Sequence, residues 1–556
     1  MIPVVVIFVY LAIIAFIGSI AFRRSKTNTE DFFLANRSIG SLVFFLSLFA
    51  TNMTAFAILG SSGQAYRQGI GIYGLMASSS CFVIPMTIFF IGTRLWALGK
   101  KFGHQTQVSY FRDRWECSHI GTVIFALSAA MLVPYMIISI MGGGTVLADI
   151  STSAETHQPL IPYAAGCAIV AVVVTINVFF GGMRGTVWVN IFQTILFLCF
   201  GAVAVAVISH ALPGGFGEYV KKIIDDPVKH TLLTREKMPK EFFWSYTLIP
   251  LSSIMFPHMA IMCFSARKVT AFKRTVVLYP LAILAIWLPC VFLGVLGTVT
   301  LTGKIDPDGV LLRMLDTYAP AWLAGILGAG VISAVMGSDA HQVLALSTMF
   351  TKDVFAHYGG KEKFGERGSV YFARAFILVV TVIAYLVALE LKAKQGIFEI
   401  AIRFAFSGFA AMAPVMVAAL FWKRSTKWGA LAATLFVAAS LIGFGSLQKN
   451  PPPPTPPAKP DATAAGKPTP PAKPKEDIIW KLGDGPDAVK ILSRAPNGDV
   501  RFMNNYMTVV PMVIGSAFFM ILFSLMTRPP SQQTIDRYFT RSAAVSTTSR
   551  STNELS

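Results

Sequence analysis

The stretch LVFFLSLFATNMTAFAILGSSGQAY, residues 42–66, decides the fold. It is long and apolar enough to cross a bilayer, which takes about 20 residues. Yet Ala50, Thr51, Asn52 and Thr54 sit near its middle, and Gly60, Ser61, Ser62 and Gly63 follow. Small and hydrogen-bonding residues let a helix unwind inside a membrane, because side chains and close neighbours satisfy the freed backbone groups. A helix broken in this way offers carbonyl oxygens to a cation and amide ends to an anionic solute group. The same residues also suit a packing face for a crossing helix.

Composition places that stretch in an all-α polytopic membrane protein. The 556 residues are 54% hydrophobic and 13% charged, with mean hydropathy +0.61, against about 25% charged in an average soluble chain. Apolar runs near 20 residues give thirteen spans, at about 2–22, 41–62, 71–97, 119–147, 160–180, 186–211, 243–265, 275–301, 320–350, 369–391, 397–422, 428–446 and 504–527. The first lacks a basic leader and a small-residue cleavage site, and reads as a retained span. The net charge of +19 lies in short loops and not in one patch, which excludes a nucleic-acid partner and points to orientation in the lipid bilayer. Arg23, Arg24, Lys100, Lys101, Arg267, Lys268, Lys352 and Lys423 fall on alternate loops of one side. That side is cytoplasmic by the positive-inside rule, with the N-terminus outside.

The domain reading follows: residues 1–446 form the transmembrane core, 447–502 a Pro-rich loop outside, 503–527 the last span and 528–556 a disordered cytoplasmic tail. PPPPTPPAKPDATAAGKPTPPAKP, residues 451–474, cannot bury a core and reads as extended. The six cysteines have no metal-ligand spacing. There is no Walker A motif, no G-x-S-x-G and no H-E-x-x-H. The chain therefore reads as no enzyme, and active transport must draw on an ion gradient.

The ninth span holds a second polar stretch, ISAVMGSDAHQVLALS, residues 332–347. Ala334, Gly337, Ser338, His341, Ala345 and Thr348 fall on one helical stripe. Asp339 lies about 100° away from Ser338 on the wheel. Intramembrane acids are costly, about 2.5–3.5 kcal/mol on insertion scales, so Asp339 is assigned an ion or proton role, with a hydrogen bond to another helix or access to water as alternatives. His341 reads as polar packing.

Five segments carry a family resemblance. DFFLANRSIG (31–40) resembles Y-F-L-G-G-R-S-L-G, GGMRGTVWVNIFQ (181–193) resembles G-G-x-x-A-V-x-W-T-D-x-x-Q, and FPHMAIMCFSAR (256–267) resembles Q-P-H-x-x-x-R-F-x-A. SAVMGSDAHQ (333–342) and ALFWKRSTKWGALA (419–432) are similar to A-A-V-M-S-T-x-x-x-Q and L-F-W-K-R-x-T-x-x-G-A. Together they resemble the sodium:solute symporters, the family of bacterial proline, pantothenate and sugar cotransporters. The resemblance implies a leucine-transporter-type inverted repeat, with spans two to six and seven to eleven as its halves. It also implies broken second and seventh spans and a sodium site at Ala50, Met53, Ala334, Gly337 and Ser338. Gly337 stands where the family carries a hydroxyl, and Asn190 where it carries an acid. The solute candidates are Asn52 and Phe56 on the second span, Tyr135 on the fourth and His258 on the seventh, with aromatics to close over a small solute and polar groups to orient it. The expected activity is sodium-coupled import of a small organic solute, an amino acid or small carboxylate before a sugar. A proton-coupled carrier and a transporter-shaped sensor are the alternatives.

Overall fold

Lipid cannot hydrogen-bond a backbone, so each apolar run must satisfy its own N–H and C=O groups, and helices do so. A computed structural model of the chain describes residues 2–23, 29–152, 158–303, 305–391, 396–448, 477–483, 489–495, 498–503 and 505–539. Among these, ten helices are long and apolar enough to cross a membrane, and two bent pairs bring the number to twelve. One helix accounts for the difference from the expected thirteen. Tyr163–Ala211 has 49 residues and runs about 74 Å at 1.5 Å per residue, more than twice a hydrocarbon core of about 30 Å. Gly182 interrupts it with φ 50° and ψ −149°, a conformation that glycine tolerates for want of a Cβ. A Cβ there would lie 2.7 Å from the carbonyl oxygen of Phe32. The expected fifth and sixth spans are both present, joined at a glycine and not by a loop.

The bent pairs are the second and seventh spans. Ser41–Asn52 and Phe56–Gln68 meet at 63°, and Lys240–Met255 and Pro257–Ser265 at 51°. In the ninth span, Ala321–Phe355, 78% of the most apolar window is buried, against 28% in the last span, Val509–Met526. The polar stretch 332–347 therefore sits in the middle of the bundle and not against lipid.

Two regions depart from the expected disorder. Residues 451–474 lie outside the described residues, but the chain beyond them folds into a four-stranded antiparallel sheet: β1 (Asp477–Leu482), β2 (Val489–Arg494), β3 (Val500–Phe502) and β4 (Tyr506–Met507), in sequential order. The sheet is anchored where the amide of Met507 donates to the hydroxyl of Ser245 at 3.1 Å. In the tail, Gln532–Phe539 is a helix. Eight residues do not hold a helix in water by propensity alone. Here Arg537 pairs with Asp113 at 3.1 Å, and Ser531 and Thr534 donate to Glu116. Residues 540–556, the rest of the expected disordered tail, lie outside the described residues.

Candidate functional site

The motifs quoted separately from the sequence meet in space. Arg184 donates to Asp31 at 2.6 Å, so the segment after Gly182 is tied to the loop before the second span. The backbone of Ile39 accepts from Arg267 at 2.9 Å, which ties the same loop to the end of the seventh span. The two broken spans thus share one support.

The second span leaves the helix at Met53, with φ −92° and ψ 115°. Thr54 then caps the restart, its hydroxyl accepting from the amide of Phe56 at 3.1 Å. Ser338 on the ninth span reaches this break and donates its hydroxyl to the carbonyl of Thr51 at 3.1 Å. Gln342, one turn on, donates to the same Ser338 hydroxyl at 2.7 Å. Ala50, Met53, Ala334, Gly337 and Ser338 are all buried. The Thr51 hydroxyl beside them is buried with no hydrogen-bond partner among the described residues. This donor set is entirely oxygen, the kind a hard alkali cation takes.

The two departures from the family pattern prove to be one feature. Asn190 donates to the carbonyl of Gly337 at 3.2 Å and contacts Nδ1 of His341 at 2.8 Å. A Cβ at position 337 would lie 3.1 Å from Oε1 of Gln193 and 3.2 Å from Oδ1 of Asn190. The amide side chains of the sixth span fill the space a side chain at 337 would need. His341 is held by Asn190, as a packing residue would be. Asp339 is 1% exposed, and its Oδ1 has no hydrogen-bond partner among the described residues. In this structure its carboxyl does not lie at the surface.

A narrow cavity lies between the two breaks. Asn52, Met53 and Phe56 line it from the second span, and Ser252, Ser253 and Phe256 from the seventh, with Ser80, Trp287 and Phe406 completing the wall. Asn52 is oriented by donating to the Tyr279 hydroxyl at 2.7 Å. Tyr135 and His258, expected at the solute, do not line the cavity. Both rings stack behind Phe256, at 5.1 and 5.0 Å between centroids. Phe256 occupies the break and faces inward, and the rings next to it form the second layer. The sequence reading missed Trp287, whose buried Nε1 has no hydrogen-bond partner among the described residues, and the serines 252 and 253. No motif marks them; the bend of the seventh span brings the two serines to the cavity, and Trp287 comes from the helix Thr270–Thr300.

Two bent helices facing one cavity in the core of a many-span bundle define a membrane carrier that binds cargo at broken helices. Residues 32–436 match the model of the sodium:solute symporter family. The chain belongs to that family, whose members are transporters and not enzymes and whose coupling ion is sodium. It is 25% identical over 472 residues to the sodium/proline symporter of Escherichia coli, covering 79% of this chain and 87% of that one. It is 24% identical over 435 residues to the sodium/pantothenate symporter of the same organism, covering 77% and 87%. An uncharacterized symporter, YhjB of Bacillus subtilis, is 26% identical over 361 residues, 63% of this chain and 71% of the other. Among solved structures, a Na⁺-coupled sialic acid symporter superposes with TM-score 0.71 at 15% identity over 96% of this chain and 99% of that one. Mhp1, a nucleobase-cation-symport-1 transporter, gives 0.52 at 14%, over 74% and 89%. The fold is that of the leucine-transporter type, as the resemblance implied.

Proposed function

We propose that the chain imports a small organic solute, an amino acid or small carboxylate, by sodium-driven alternating access. The observation that carries this is the contact of Ser338 with the Thr51 carbonyl at the break of the second span. It sets an oxygen-bearing face of the ninth span against unwound backbone, next to the cavity lined by both broken spans. Sodium would bind between the Ala50 and Met53 carbonyls on one side and Ala334, Gly337 and the Ser338 hydroxyl on the other. A cation there favours the conformation in which the two spans are held together, and solute binding at Asn52 and Phe56 then permits closure, which is coupling by linkage. Proline and pantothenate, for which two relatives are named, both carry a carboxylate. The distribution of basic loops supports a topology with the sheet outside and the tail helix in the cytoplasm, in a bacterial-type inner membrane.

Uptake of radiolabelled proline and pantothenate by reconstituted vesicles tests the reading. An inward sodium gradient is expected to drive uptake of one of them or of a related carboxylate. Uptake indifferent to sodium would overturn the coupling. The same assay under a pH gradient addresses Asp339, whose buried, unpartnered Oδ1 suits a second cation or a proton. A pH-driven component lost in Asp339→Asn assigns it that role, and an unchanged one removes it.

A further inference from the structure

The short helix between the third and fourth spans, Gln107–Arg114, bonds to three other spans at one end of the bundle. Gln107 donates Nε2 to the carbonyl of Met255 at 3.0 Å, directly before the break of the seventh span at Phe256. Thr106, at the N-cap of the short helix, donates its hydroxyl to Asp353 near the end of the ninth span at 2.7 Å, and Arg112 donates to the Asp353 carbonyl at 2.8 Å. The Tyr110 hydroxyl donates to the carbonyl of Ala419 on the eleventh span, Ile397–Phe421, at 2.8 Å. These three spans cannot part at this end while one helix is bonded to all of them. The helix is a bolt.

The bolt is itself held, by the tail helix Gln532–Phe539. Arg537 meets Asp113 of the bolt with both terminal nitrogens, at 3.1 and 3.3 Å. The Tyr538 hydroxyl donates to the same carboxylate at 2.5 Å and lies 2.9 Å from Nε2 of His104. The Tyr538 residue is 6% exposed, its ring set among Phe102, Tyr110 and His104 at 5.0, 5.7 and 6.3 Å between centroids. The carbonyl of His104 in turn accepts from Arg37, in the loop before the second span, at 2.9 Å. The root of the tail helix is the thirteenth span, tied to the twelfth where the hydroxyls of Thr426 and Thr527 meet at 2.8 Å. This hold is limited. A partly exposed ion pair contributes little, and eight residues do not stay helical in water unaided, so the seated Tyr538 ring is the main anchor.

We propose that the tail helix is a strap that keeps the carrier shut on its cytoplasmic side, and that inward opening proceeds when Tyr538 leaves its notch and the bolt withdraws from Met255 and Asp353. This rests on the reading of alternating access with the tail in the cytoplasm. Neither the strap nor the bolt lines the central cavity. Loosening the strap therefore leaves the lining of the cavity as it is and moves the population towards the inward-open state, because only the closed state loses contacts.

The test uses the full chain in inside-out vesicles without sodium or solute, so that it is independent of coupling. Cys263 lies buried beyond the break of the seventh span, where a Cβ on Gly92 of the third span would come 2.9 Å from its sulfur. Its labelling by a membrane-impermeant maleimide, read on its own peptide by mass spectrometry with Cys263→Ala as blank, reports separation of the third and seventh spans. Tyr538→Ala is expected to raise that rate at least about threefold, a modest population shift, and Arg537→Gln to raise it less. Cys167 and Cys290, buried in the fifth and eighth spans, should stay unlabelled. If they react in the same variant, it has unfolded and the second arm decides. There Glu116→Cys and Thr534→Cys, whose native side chains touch, are joined by a short bis-maleimide with Tyr538 intact, and labelling of Cys263 is expected to fall at least about twofold below the parent treated alike. A rate unchanged in folded Tyr538→Ala, or unaltered by the cross-link, overturns the proposal. Sodium-driven uptake with labelling indifferent to the tail removes only this inference, and tail-dependent labelling with sodium-indifferent uptake removes only the coupling.

Discussion

The second and seventh spans bend by similar angles, 63° and 51°, but for different reasons. The seventh breaks at Phe256, with φ −59° and ψ 121°, directly before Pro257. Proline clashes with a helical residue before it, so this break is written into adjacent residues. The second span breaks at Met53 with no proline near. Its freed backbone groups are taken up by the hydroxyls of Ser338 from the ninth span and of Thr54. One break is fixed by covalent geometry and the other is held by partners that a bound ion would rearrange. With sodium at the proposed site, the second span would be the element that senses it and the seventh the fixed wall.

The largest expected effect comes from wedging the second span itself. Its C-terminal half runs so close to the loop before helix Val310–Tyr318 that a Cβ on Gly63 would lie 2.7 Å from the carbonyl oxygen of Pro307. Gly63→Ala is expected to cost about 1–3 kcal/mol, the usual range for overpacking, measured by thermal unfolding in detergent. An unchanged Tm would mean that this half is not clamped. Next comes the contact at the break. Ser338→Ala is expected to raise the sodium needed for half-maximal uptake about tenfold, equivalent to about 1.4 kcal/mol. Pro257→Ala, which lets the seventh helix run on, should lower solute uptake but keep the rise in Tm on adding sodium. If both substitutions erased the sodium response, the distinction between sensing and fixed break would fall.

The smallest effect is a pH dependence at the loop that packs against the second span. Asp308 lies beside Gly63 and accepts from the amide of Ile397 at 3.0 Å. Desolvation, and then the nearby Glu399, push its carboxyl up from 3.8 to about 7. Between those values the folded chain keeps a proton that the unfolded chain has lost, so this contribution is complete below about 4 and is lost as pH rises through about 7. Tm should fall on going from mildly acidic to mildly alkaline buffer. Asp308→Asn should flatten that slope, and an equal slope in the variant would place its origin elsewhere.

Much of this was legible in the chain because membranes impose a length and a polarity on each segment. Apolar runs placed the spans, and the polar interruptions at Thr51–Thr54 and Gly337–Gln342 marked the centre of the bundle. The differences between expectation and structure have physical causes. Tyr135 and His258 are polar aromatics on the right helices, but whether a ring faces a cavity or stacks behind Phe256 depends on rotation about each helix, which composition does not encode. The sheet at 477–507 was hidden by the proline-rich run beside it, since its short strands gain their burial from Ser245, Phe242 and Arg403 far away in sequence.

By itself the sequence determined a many-span helical carrier, the proline break of the seventh span, and the oxygen-bearing stripe of the ninth. Tertiary structure alone decided that Ser338 meets the unwound second span, that Asn190 and Gln193 fill the place of a side chain at Gly337, and that the tail helix closes on Asp113. Lipid acts on each segment separately, so hydropathy is a local code. Hydrogen bonds and ion pairs between segments depend on which faces meet, and only the packed bundle fixes that.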